Sequence, residues 1–216
     1  LDGSKVEKFS FRNKAEIDKA IESIKDKKFD ITDITSKVVN RNPSGPFTTS
    51  TLQQVASSRL GFGASRTMQI AQRLYQGIEI DGETIGLITY MRTDGTNLSA
   101  DAITDFRDYI KSEYGKEYLP DSPLSYSGKK AKNAQEAHEA IRPTDISRSP
   151  ETVKKYLSTD QQKLYNLIWS RALSSQMETA KFYRSTITIT SKDGDNICKT
   201  SGSVLKFDGY LKVFPS

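Results

Sequence analysis

The chain has 216 residues, 35% hydrophobic and 27% charged, enough to bury a core in one or two domains. Its 32 Lys and Arg against 27 Asp and Glu give a net charge of +5, which permits a polyanion partner without demanding one. The single cysteine, Cys198, excludes an internal disulfide and reads as a small buried hydrophobe, and no run is long or apolar enough to cross a membrane.

Ser4 to Arg12 alternate apolar and polar residues, as a half-buried strand does. Asn13 follows, with Glu16 at capping-box spacing, and Ile17, Ala20, Ile21 and Ile24 give the next helix one apolar face. "FDITDITSKVV" returns to strand character, and "NRNPSGP" reads as a loop. Thr49 to Arg59 reads as a helix that stops at Gly61. After "LGFGAS", Ser65 is placed to cap a second helix, with Met68, Ala71, Leu74 and Tyr75 on one face and Gly77 at its end. Asp81-Gly82 then predicts a hairpin turn within "IEIDGETIGLITY", with Tyr90 at the far end of the second strand. Two helices, a tight turn and a hairpin follow a winged-helix order. Between Ser44 and Gly77 the only charged residues are Arg59, Arg66 and Arg73, set among Ser, Thr and Gln. Such a surface suits phosphate contact, although small polar residues also simply solvate helices.

Ser99 caps a helix that runs to about Ser112, with Ala102, Ile103, Phe106 and Ile110 inward and Asp101, Asp105 and Asp108 in water. "SYSGKKAKN" is a basic loop carrying Lys129, Lys130 and Lys132, and "NAQEAHEAI" predicts a short helix ending before Pro143. Ser158 to Gln161 caps a long helix whose Leu164, Leu167, Ile168, Trp169 and Leu173 are core. "YRSTITIT", a turn at Lys192 to Asp195, and "NICKTSGSVLKFDGYLKVF" complete a strand-rich end. The expected fold is α+β: a β-rich domain at 1–41 and 179–216, interrupted by a mostly helical, winged-helix-like domain at 42–178 that carries Tyr90.

In an extended segment Tyr90 and Arg92 point the same way, so a phenol and a guanidinium can share one phosphate. The guanidinium can hold two phosphate oxygens, favour the phenolate, and offset charge in a transition state while the tyrosine attacks phosphorus. On these two residues alone, a core tyrosine beside a surface arginine is the favoured reading. His138 is the only histidine. On a helix it shares a face with Gln135 and Arg142, which could bind a phosphate diester or protonate a leaving oxygen. By itself it reads more simply as a surface histidine. Asp193 and Asp195 sit on a turn with no acidic company, and no Walker loop or GxGxxG is present, so no metal or nucleotide site is expected in this chain.

Three ordered blocks go further: "PFTTSTLQQVASSRLGFGASRTMQIAQRLY", "GLITYMRTDGTNLS" and "AQEAHEAIRPTDI". They resemble the bacterial type IA DNA topoisomerases, and the resemblance extends to "VLKFDGYLKVFP". It implies that Tyr90 attacks single-stranded DNA to form a 5′-phosphotyrosine, that another strand passes through the gap, and that the break reseals without ATP, relaxing negatively supercoiled DNA. It implies that Arg92 contacts the scissile phosphate and that His138 helps bind DNA. Supporting roles fall to Thr93, Asp94 and Arg142, which lie in the matching motifs, while Arg59, Arg66 and Arg73 are expected as further DNA contacts from the phosphate-suited surface they occupy. The β-rich domain would form the arch of a torus. One departure is Gly95, where many members carry serine; a turn is expected to accept either.

The chain opens on Leu1 and closes on "KVFPS", and we read it as a piece of a longer, cytoplasmic, monomeric protein with no secretory leader. By the same resemblance the magnesium-binding toprim domain and much of the base domain lie outside it, so magnesium belongs to the longer protein and the piece alone is expected to be inactive. The rival readings are a winged-helix DNA-binding module without catalysis, a tyrosine recombinase with the opposite 3′ linkage, and a purely structural or partner-binding piece.

Overall fold

A computed structural model describes residues 5–7, 9–126 and 138–215. Lys129, Lys130, Lys132 and Gln135 lie outside the described residues. In chain order the elements begin with α1 (Lys14–Lys25), β1 (Phe29–Arg41), α2 (Thr49–Leu60), α3 (Ala64–Gln76), β2 (Ile78–Ile80) and β3 (Glu83–Ile85). They continue with α4 (Ala100–Glu113), α5 (Pro150–Val153), α6 (Thr159–Ser174), β4 (Ala180–Ser191) and β5 (Ile197–Phe207). The chain is α+β and forms two compact units, one of Leu1–Asn40 with Lys181–Phe207, the other of Arg41–Ala180 with Asp208–Ser216.

The first unit is a three-stranded sheet in the order β1-β4-β5, with α1 before it. β4 and β5 run antiparallel, placing Thr190 opposite Ile197 and Lys181 opposite Phe207; Cys198 on β5 is exposed, not the buried hydrophobe expected. The turn between them holds Asp193 and Asp195 against Lys27 Nζ, at 2.8 and 3.6 Å. The hydrogen bond from Lys27, helped by Ser191 and the Asp195 N–H, pulls the Asp193 carboxyl down to about 2. This pairing accounts for the acidic pair on the turn. The strand expected over Ser4 to Arg12 does not form among the described residues, where Glu7 and Ser10 close a turn on each other. Asn13 caps α1 as expected, but Glu16 reaches back to the Arg12 N–H, and α1 buries no residue.

The second unit is built on α2, α3 and α6. Leu52 and Ala56 of α2, Ile70 and Leu74 of α3, and Leu164, Ile168 and Leu173 of α6 are buried in one core, which Phe106 and Ile110 of α4 join. Each fully buried Leu, Ile or Phe side chain contributes about 1.5–3 kcal/mol relative to exposure. Thr48 caps α2 and Ser158 caps α6, each in a reciprocal capping box, and Ser99 caps α4. Trp169 is buried as expected, and its indole N–H donates to the Ile146 carbonyl at 3.0 Å. α3 departs from expectation: it starts one residue before Ser65, with Gly63 as an N-cap that offers no side chain.

Three further corrections concern loops. The hairpin β2–β3 turns at Asp81 and Gly82, both at positive φ (51° and 89°), as a tight hairpin requires. It ends at Ile85, so Tyr90 lies in an extended segment beyond it, tied back by Leu87 N–H to the Leu74 carbonyl at 2.8 Å. Next, His138 to Arg142 are extended rather than helical. Glu139 pairs with Asn97, Ile141 with Phe47, and Pro143 with Ile88. Pairing with three separate partners overrides the helix-forming composition of "HEAI". Finally, β5 stops at Phe207, and Gly209–Lys212 make a 3-10 turn anchored by Tyr210 N–H on the Glu178 carbonyl at 2.9 Å. Phe214 is buried in the helical core, so Asp208–Ser216 belong to that unit and not to the β-rich one.

Candidate active site around Tyr90

From Tyr90 to Asp94 exposure alternates residue by residue. Tyr90, Arg92 and Asp94 face water, while Met91 and Thr93 are buried. Local geometry thus puts the phenol and the guanidinium on one exposed face. Tyr90 is 51% exposed, and its ring meets Tyr75 of α3 edge-on with centroids 5.3 Å apart. Tyr75 is therefore a wall of the site, not the inward residue its helical spacing suggests. Among the described residues, neither the Tyr90 hydroxyl nor the Arg92 guanidinium has a hydrogen-bond or ion-pair partner.

The backbone carrying these free groups is held on both sides. Before Tyr90, Thr89 Oγ1 donates to the Ala140 carbonyl at 2.7 Å and accepts from the Arg142 N–H at 3.0 Å. The Thr89 N–H donates to the Arg142 carbonyl at 2.9 Å. After Tyr90, Thr49 Oγ1 donates to the Met91 carbonyl at 2.7 Å and accepts from the Thr93 N–H at 2.8 Å. Neither threonine is singled out by sequence. Each lies inside a segment that reads as ordinary helix or strand, and their partners are 42 to 53 residues away.

The other expected site residues divide. His138 is exposed, with Nδ1 3.7 Å from Asp94 Oδ1. Arg142 is mostly buried rather than exposed beside it. Its side chain is 14% exposed, donating to Glu139 Oε1 at 2.6 Å and to the Pro143 carbonyl at 2.9 Å. Glu139 also accepts from the Ser99 N–H at 3.1 Å. Burial pushes the Glu139 carboxyl up, but the hydrogen bonds from Arg142 and Ser99 outweigh it and the carboxyl is held below its ordinary value. Arg142 and Glu139 thus brace the segment from within. Thr93 is buried, and its hydroxyl accepts from the Gly95 N–H at 3.0 Å, so it shapes the turn. Arg73 is exposed on α3. Arg66 is paired with Asp160 at 2.5 Å, and Arg59 lies 4.2 Å over the Phe214 ring.

Gly95 corrects an expectation. A Cβ built there would lie 1.7 Å from the His138 carbonyl oxygen. The turn passes so close to the extended segment that no side chain fits without moving the backbone beside His138.

The profile of the DNA topoisomerase family matches residues 2–216. The chain is 48% identical over 214 residues to DNA topoisomerase 1 of Rickettsia felis, covering 99% of this chain and 27% of that protein. It is 46% identical over 211 residues to the Haemophilus influenzae protein of the same name, covering 98% of this chain and 23% of the relative. The solved structure of full-length topoisomerase I from Thermotoga maritima superposes with a TM-score of 0.82 at 40% identity, covering 98% of this chain and 33% of that one. The chain thus spans about a quarter of the length of the curated relatives it matches.

Two outcomes follow from the packing here. Gly95→Ser should destabilise the helical unit by about 1–3 kcal/mol, read by the fluorescence of Trp169 during denaturant unfolding; a change under about 0.5 kcal/mol would show that the close approach is no constraint. Glu139→Gln should cost about 1 kcal/mol at neutral pH, since a charge-assisted bond at a partly exposed carboxylate is lost. The Glu139 contribution is present above the ordinary value of 4.5 and disappears as pH falls through the lowered folded value, so the two proteins should converge in acid. A gap that stays constant through the acid range would contradict it.

Proposed function

The chain belongs to the DNA topoisomerase family, and we propose on that premise that it carries the strand-cutting tyrosine of a type IA enzyme. The observation that carries the reading is an exposed tyrosine and an arginine without a partner among the described residues, on one face of a backbone fixed on both sides.

Tyr90 gives up its phenolic proton, and its oxygen attacks a backbone phosphorus of single-stranded DNA. The bond from phosphorus to the 3′ oxygen breaks, that oxygen takes up a proton, and the 5′ phosphate remains esterified to Tyr90. One phosphate ester replaces another, so the 3′ hydroxyl can reverse the step without ATP. Arg92 holds the non-bridging oxygens and offsets the charge that develops on them. His138 beside Asp94, with Arg59 and Arg73, contacts the DNA backbone, whereas Arg142 and Thr93 act by holding the segment in place. Strand passage between cutting and resealing relaxes negatively supercoiled DNA.

The family resemblance also implies magnesium. The residues described here do not fit it, because among them no three acidic, histidine or cysteine side chains converge on a metal site. The ion would be held by parts of the longer protein outside this chain, and the steps above are written for this chain's own residues.

In the full-length protein, Tyr90→Phe should abolish the covalent adduct with an end-labelled single-stranded oligonucleotide, and Arg92→Ala should slow its formation by about 10²–10³-fold. An adduct that survives Tyr90→Phe would remove Tyr90 as nucleophile and leave a DNA-binding module. The 216-residue chain alone should leave supercoiled plasmid unrelaxed; relaxation that vanishes with Tyr90→Phe would overturn that expectation.

A further inference from the structure

Among the described residues none pairs with the Arg92 guanidinium, so what they fix is its backbone. Two peptide planes flank its Cα: one carries the Met91 carbonyl, the other the Thr93 N–H. Both are pinned by the same oxygen. Thr49 Oγ1 donates to the Met91 carbonyl at 2.7 Å and accepts from the Thr93 N–H at 2.8 Å. The Thr49 N–H adds a third bond, to the Thr93 carbonyl at 2.9 Å. With both planes fixed, φ and ψ of Arg92 have little freedom, and the direction of its Cα–Cβ bond, from which the side chain starts, is set.

The anchor is rigid. Thr49 is the first residue of α2, next to the capping Thr48 and one turn before the fully buried Leu52. Capping does not need its hydroxyl, because Thr48 and Thr51 already form the reciprocal cap. Its bonds run instead to residues 42 and 44 positions away.

We infer that Thr49 is the positioning residue for Arg92: it does not touch the DNA but holds the guanidinium where the scissile phosphate will lie. The inference rests on the proposed strand-cutting role of Tyr90 and Arg92. Valine keeps the shape of threonine and removes these hydroxyl bonds, whereas serine keeps them.

The test is single-turnover cleavage of an end-labelled single-stranded oligonucleotide by the full-length protein with magnesium, beside its equilibrium affinity for the same strand. Thr49→Val should slow cleavage by about 10–100-fold, the scale of a misplaced catalytic group. Affinity should change by less than about threefold, because the loss falls on the transition state. Thr49→Ser should stay within about threefold of the parent rate. In an Arg92→Ala background, Thr49→Val should add less than about twofold, because a residue acting through Arg92 has nothing left to position. Thr49→Ala carries the same test if thermal unfolding shows that valine disrupts the helical unit. Cleavage by Thr49→Val at the parent rate, failure of serine to restore it, or an equal loss with and without Arg92 would overturn the inference while leaving Tyr90 as nucleophile. A parent protein that forms no adduct would overturn the functional reading itself, and this inference with it.

Discussion

Two threonine hydroxyls, one on each side of Tyr90, tie the segment that carries it to the rest of the helical unit. Thr89 binds it to the extended run at 138–144 and Thr49 binds it to the start of α2. A tyrosine that is half exposed gains little orientation from packing. Its direction has to come from the backbone, and the backbone is directed only where its peptide groups have fixed partners. Buried Leu87, Ile88 and Met91 seat this segment on the core, and the clamps fix the peptide groups around Tyr90 and Arg92.

The extended run at 138–144 is the second support. It pairs with Phe47, Ile88 and Asn97, each more than 40 residues before it in sequence. The Glu139–Arg142 pair and the Ser99 N–H lock it from beneath, and the Gly95 turn presses against its His138 carbonyl. His138 comes beside Asp94 because of this pairing, not because of helical spacing. The core of α2, α3 and α6 matters to the site mainly by making Thr49 and Tyr75 fixed points.

Sequence made the locally determined parts legible. Ser99 and Ser158 announce the helices they cap, because a cap and its periodic face lie within a few residues of each other. The common face of Tyr90 and Arg92 needs only alternation over three residues. What was not legible depended on distant partners. "HEAI" has helical composition, and only the strands around it make it extended. The strand expected at the start of the chain had no neighbour in the sheet, and α1 keeps its apolar face open to water although Ile17, Ile21 and Ile24 repeat as a buried face should. Gly95 read as an ordinary turn residue because the carbonyl that crowds it is 43 positions away, a separation visible only in the folded chain.

The central claim is that Tyr90 becomes covalently joined to DNA, and the direct measurement is to locate that bond. The full-length protein would be trapped on a single-stranded oligonucleotide by rapid denaturation and digested, and the peptide carrying the nucleotide mass would be sequenced. The account predicts that the mass sits on Tyr90 and that the strand is attached through its 5′ phosphate, leaving a free 3′ hydroxyl on the other fragment. A nucleotide on another residue, or a 3′-phosphate attachment, would contradict it.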